Sequence, residues 1–207
     1  MKYSFFKPNN YQLPTENQVD IILRDLFPIN RSLTGNGNKR TIEILSDVVD
    51  LKIDSIPSGK KVFDWIIPDE WSIRDAYIKN SKGKKIVDWK KNNIHVLNYS
   101  SPINKKGLSK KELIRNIHSL PDKKDWIPYR TSYYEKNWGF CVSETLLESK
   151  DFSEPFDVLI DSDHNSKGNM IFAESFHQGL SDKEIIISSY LCHPSLANDN
   201  LSGIITA

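Results

Sequence analysis

Apolar residues recur at helical spacing over 18–26, where Val19, Ile21, Ile22, Leu23 and Leu26 line one face. Phe27-Pro28 ends that helix. The run Asn30-Arg31-Ser32-Leu33-Thr34-Gly35-Asn36-Gly37-Asn38 is loop chemistry. A second helix is predicted over 39–49, with Ile42, Ile44, Leu45, Val48 and Val49 as its stripe. The period then shortens. A strand and turn are predicted at 52–59, a strand at 62–68, and a hairpin of 71–79 with 85–89 around Asn80-Ser81-Lys82-Gly83. Another strand is predicted at 94–99. An amphipathic helix follows at 108–117, with Ser109 as N-cap and Glu112 closing a capping box. An aromatic-dense connector around Tyr129 to Cys141 leads to a short helix at 143–149. Strands are predicted at 156–161, 169–176 and 184–191. The last, Glu184-Ile185-Ile186-Ile187-Ser188-Ser189-Tyr190-Leu191, is a nearly continuous apolar run, as in a strand buried on both faces.

This order predicts an α/β domain interrupted by a smaller β-rich module. The expected parts are an N-terminal helical part over 1–57, a β-rich insertion over 58–125, and a return to the α/β domain over 126–207. No internal repeat is present.

Composition narrows the function classes. Hydrophobic residues are 38% of 207, enough for a sizeable core. The net charge of +1, from 28 Lys+Arg against 27 Asp+Glu, gives no reason to expect a nucleic-acid or membrane partner. No stretch approaches the ~18 apolar residues of a membrane span. Residues 1–8 lack the hydrophobic core of a signal peptide, so a cytoplasmic protein is expected. Cys141 and Cys192 form no CxxC pattern and read as reduced, buried thiols. Leu201-Ser202-Gly203-Ile204-Ile205-Thr206-Ala207 reads as the first turn of an apolar helix without a stop signal, so a fragment is expected.

The chemistry concentrates at Cys192-His193-Pro194-Ser195-Leu196-Ala197-Asn198-Asp199-Asn200. His193 stands at the carboxyl end of a predicted buried strand, where open α/β sheets place their chemistry. Asp199 stands at the start of the next helix. An imidazole and a carboxylate converging there can bind zinc, which takes three or four ligands. Taken one at a time, His193 is as readily a hydrogen-bonded structural residue, and Asp199 an N-cap. Arg31 and Arg130 are substrate-binding candidates, since a fixed guanidinium binds a carboxylate bidentately. Stacking on an aromatic ring is the stronger reading of both. His95, His118, His164 and His177 lack partners at ligand spacing. Gly35-Asn36-Gly37 is no phosphate cradle, because no strand precedes it.

Residues 191–203 resemble the first metal motif of the dinuclear zinc aminopeptidases and their carboxypeptidase relatives. The match is Ala197-Asn198-Asp199-Asn200-Leu201-Ser202-Gly203, preceded by the apolar run and His193. The rest of the chain is similar to a branch with an inserted β-rich domain, associated with polysaccharide biosynthesis. Its likeness lies in Phe27-Pro28-Ile29-Asn30-Arg31-Ser32-Leu33-Thr34-Gly35, Ile56-Pro57-Ser58-Gly59, Val62-Phe63-Asp64-Trp65, Pro128-Tyr129-Arg130-Thr131-Ser132-Tyr133-Tyr134 and Trp138-Gly139-Phe140-Cys141.

The resemblance implies a partial zinc-exopeptidase-type α/β domain. It implies that His193 binds one zinc and that Asp199 bridges two zinc ions. A peptide or amino-acyl small-molecule substrate is implied, and a homo-oligomer is left open. The chain departs from the wider pattern at Ser195, where an Asp usually orients the ligand His. The general-base Glu, further carboxylate ligands and a second His would lie beyond Ala207. No catalytic residue is therefore assigned, and the chain alone is expected to be inert. The alternative is a non-catalytic peptidase-fold binding protein in a surface-polysaccharide pathway.

Overall fold

The computed structural model describes residues 14–207. The 1–8 segment read for a signal lies outside them. Helix α1 (Glu16–Leu26) opens with a capping box: Gln18 N–H donates to Thr15 Oγ1, and Thr15 N–H donates to Gln18 Oε1 at 2.8 Å. Helix α2 (Asn36–Ser46) starts earlier than its apolar stripe predicts. Its first turn is anchored by Asn38, which accepts from Ser32 N–H at 3.1 Å and donates to Ser32 O at 2.7 Å. A periodicity argument cannot see such a turn, because Asn38 is polar yet buried.

Strand β1 (Lys52–Pro57) is followed by β2 (Lys61–Val62) and β3 (Trp65–Ile66), a small hairpin where the sequence pattern predicts one strand. Phe63 turns the chain between them, at φ 52°. The hairpin of β4 (Glu70–Lys79) and β5 (Lys85–Asp88) forms as predicted. Its turn is held by Asn80 Oδ1, which accepts from Lys82 N–H and Lys84 N–H, both at 3.1 Å. The strand predicted at 94–99 is instead a 3-10 turn (Asn93–His95) followed by two isolated bridges, Val96 to Phe140 and Asn98 to Thr131.

Strand β6 (Ile103–Leu108) is not predicted by the sequence pattern. Its Asn104, Lys105, Lys106 and Gly107 are exposed, and only pairing with a neighbour makes the segment a strand. Helix α3 (Lys110–Leu113) has the expected Ser109–Glu112 capping box, then tightens to a 3-10 turn (Ile114–Asn116). The chain continues through β7 (Ile117–His118), β8 (Phe140–Cys141), α4 (Glu144–Glu148), β9 (Phe156–Asn165), β10 (Asn169–Glu174), an irregular turn (Ala197–Leu201) and α5 (Ser202–Thr206).

The result is a mixed α/β chain with small sheets, in two compact units. The described residues up to Glu70 join Ser166–Ala207 in one; Trp71–Asn165 form the other. The boundary expected near residue 125 falls inside the second unit. The reason is β9, which lies between β4 and β6 in the sheet order β5-β4-β9-β6. Along β9, Phe156, Val158, Ile160 and Ser162 are buried in alternation, as a one-sided strand requires. The three apolar ones pack with Ala76, Val87, Leu113 and Phe140.

In the first unit β1 and β10 pair antiparallel, from Lys52 opposite Glu174 to Pro57 opposite Asn169. Its apolar centre is Ile22 and Leu26 of α1, Ile44 of α2, and Leu201. The buried strand predicted at 184–191 is absent. Ile185, Ile186 and Ile187 are 91%, 86% and 71% exposed, and the run has no regular structure. An apolar run becomes a sheet strand only when a neighbour takes its hydrogen bonds. Among the described residues no strand pairs with it.

Candidate metal centre

Two anchors shape the segment around His193 and Asp199. Leu201, 1% exposed, packs among Ile22, Leu26 and Ile44 and fixes the segment's carboxyl side. Asn200 folds it back: its Nδ2 donates to Ser189 Oγ at 2.8 Å and to Tyr190 O at 3.1 Å. That fold brings Asp199 beside His193. Asp199 (φ −122°, ψ 77°) and Asn200 (φ −147°, ψ 34°) leave helical geometry. The predicted helix therefore opens irregularly, and Asp199 is not a capping residue: no side-chain cap bond is made at either helical turn here.

His193 Nδ1 lies 4.0 Å from Asp199 Oδ1, with the side chains 18% and 58% exposed. The Tyr190 hydroxyl donates to Asp199 Oδ1. The Tyr190 ring meets the His193 ring edge-on, with centroids 5.2 Å apart. Burial pushes the imidazole pKa below its usual value, nearby Arg31 adds to this, and Asp199 opposes it. The neutral ring so favoured is the form that binds a metal. Cys192 Sγ lies 3.3 Å from His193 Nδ1, but burial raises the thiol's pKa and keeps it protonated. It is a neighbour of the site rather than a thiolate ligand.

Zinc holds N and O ligands at ~2.0–2.2 Å in a tetrahedron, so two donors on one ion stand roughly 3.3–3.6 Å apart, and the pair would have to close slightly. The His193–Asp199 separation fits that geometry with little adjustment. Among the described residues no group of three or more His, Cys, Asp and Glu side chains gathers to hold an ion. The pair is thus two donors, where zinc takes three or four.

The other two candidates differ. Arg31 is 1% exposed; its Nη1 donates to Leu26 O at 2.6 Å and its Nε to His193 O at 2.9 Å. Burial pulls its pKa down to about 10, so it stays charged near neutrality. Donors engaged by main-chain carbonyls serve the fold before any substrate. Arg130 belongs to the second unit and is exposed; its carbonyl accepts from Asn98 N–H at 2.9 Å. The only sign of Tyr190 in the sequence is an aromatic hydroxyl inside a mostly aliphatic run.

Residues 20–207 match the family described as a domain of unknown function (DUF4910), and the chain belongs to that family. A protein of Clostridium acetobutylicum named "Putative polysaccharide biosynthesis protein with aminopeptidase-like domain" is 43% identical over 190 residues, covering 92% of this chain and 43% of that protein. The chain is also similar to the crystal structure of a "putative peptidase" from Clostridium acetobutylicum. That match has a TM-score of 0.86 at 43% identity, and it covers 91% of this chain and 44% of the other. The chain therefore spans less than half the length of the relatives it matches. Among the described residues no helix is long and apolar enough to cross a membrane.

Proposed function

We propose that the chain carries the first two metal ligands of a zinc-dependent, aminopeptidase-like hydrolase acting on a peptide or amide bond. The observation that carries this reading is the convergence of His193 Nδ1 and Asp199 Oδ1 at 4.0 Å. The aminopeptidase-like and peptidase names of the relatives support it. His193 would give its neutral imidazole to one ion, and Asp199 its carboxylate to both of two ions. Zinc held there supplies Lewis-acid activation of a carbonyl and of the attacking water. Tyr190 would hold the Asp199 carboxylate toward the imidazole through its hydroxyl. The general base and the remaining ligands would come from the part of the family protein that this chain does not span, so the chain alone is inert.

Ser195 supports a second reading, a non-catalytic peptidase-fold binding protein in a polysaccharide pathway. Its hydroxyl donates to Phe27 O at 2.8 Å, so it does not do the imidazole-orienting work of an Asp. Metal analysis of a full-length family protein containing this chain separates the two. Two zinc ions per chain, lost together in His193→Ala and Asp199→Ala, support the hydrolase. A metal-free protein with both residues intact supports the binding module. Zinc-dependent release of amino acids from peptides by the 207-residue chain alone would refute its inertness.

A further inference from the structure

Arg31 is a buried cation that the proposed chemistry does not use, and its partners show what it does. Leu26 O and Phe27 O lie at the carboxyl end of α1, where carbonyls lack intrahelical N–H partners. Arg31 Nη1 joins the Ile29 N–H on the first, at 2.6 Å, and Ser195 Oγ takes the second at 2.8 Å. A cation there also meets the negative end of the helix dipole. The same guanidinium reaches His193 O through Nε at 2.9 Å. Both residues thus tie the turn that bears His193 to one helix end. Arg31 is itself held, because its neighbour Ser32 is bonded through both backbone groups to the Asn38 side chain of α2.

We infer that Arg31 and Ser195 are positioning residues that hold the His193 backbone at the proposed metal site by latching the 193–195 turn to the carboxyl end of α1. This rests on the proposed metal reading for its consequence, and on the hydrogen bonds alone for its structural part. The latch gives Ser195 a task at the place where a His-orienting Asp is usual in the resembled enzymes. It also reads Arg31 as a part of the scaffold rather than as a substrate clamp. Partners that orient metal ligands change metal affinity by about 10–100-fold when removed.

The experiment has two arms, exchange on the 207-residue chain and zinc binding on a full-length family protein containing it. Amide hydrogen exchange reads the latch without metal. Arg31→Met and Ser195→Ala are expected to speed exchange at Cys192, His193 and Ser195 while leaving the α2 amides unchanged. Titration with zinc chloride reads the consequence. Arg31→Met is expected to weaken zinc binding about tenfold. Ile67→Val, a buried change in the same unit outside the Leu26 cluster, is expected to lower the melting temperature without that loss. Unchanged exchange in Arg31→Met overturns the latch. Equal zinc loss in Ile67→Val and Arg31→Met overturns the positioning role and leaves a general stability effect. A full-length wild-type protein that binds no zinc refutes the metal reading, while the exchange arm still decides the latch.

Discussion

A Cβ built on Gly203 would stand 2.0 Å from Asn200 Oδ1, so the Asn200 amide occupies space that only glycine leaves open. That amide ties the Asp199 segment back to Ser189 and Tyr190. Gly203→Ala must shift the Asn200 side chain, whose Nδ2 makes both bonds. We expect it to cost about 1–3 kcal/mol, as overpacking does, and to loosen Asp199. Chemical denaturation checks the first effect. The second is read as increased mobility of Asp199 by NMR relaxation. Wild-type values of both in the Gly203→Ala variant would show that the amide has another resting place.

Gly37 predicts a harsher result. A Cβ there would lie 1.9 Å from Asn30 O, a backbone atom that cannot rotate away. Gly37→Ala should push α2 off the loop that carries Arg31. The expected loss is about 3 kcal/mol, at the upper end of overpacking. The unfolding midpoint in urea measures it.

Leu26 is fully buried and packs in one cluster with Ile22, Ile44 and Leu201. Leu26→Ala is expected to cost about 2–5 kcal/mol, the usual range for a buried leucine truncated to alanine. It should also reduce protection of the α5 amides, because Leu201 packs in the same cluster. Protection at α5 equal to wild type would separate the helix from that core.

Acid should weaken the fold through its histidines. Burial lowers the pKa of His95 from 6.5, with its contact to Cys141 O partly opposing. Burial and nearby Arg130 lower that of His118. The unfolded chain then binds more protons than the folded one between the lowered values and 6.5, so stability rises with pH there. The contribution is whole above 6.5 and is lost as pH falls through the lower folded values. Urea midpoints at about pH 7.5 and 5.5 should show the decline, and His95→Gln should make it shallower. An unchanged slope in that variant would remove His95 from the account.

Ile185, Ile186 and Ile187 make an exposed apolar run with which no described strand pairs. Such a segment is a template for pairing with another chain. The purified chain is expected to self-associate with rising concentration, and Ile186→Lys to suppress this, as followed by light scattering. A monodisperse wild-type chain at high concentration would count against it.

Much of this protein was legible in its sequence, for local reasons. The α1 stripe, the Ser109–Glu112 box and the turn at Asn80–Gly83 depend on residues within a few positions of one another. The resemblance of residues 191–203 to a metal motif singled out His193 and Asp199, which lie 4.0 Å apart. Tertiary structure decided what depends on partners distant in sequence. Polar Ile103–Leu108 became a strand because β9 pairs with it. Apolar 184–191 did not, because no described strand does. Arg31 passed from candidate ligand-binder to latch because the carbonyls it meets belong to residues 26 and 193, and no spacing rule links those two positions.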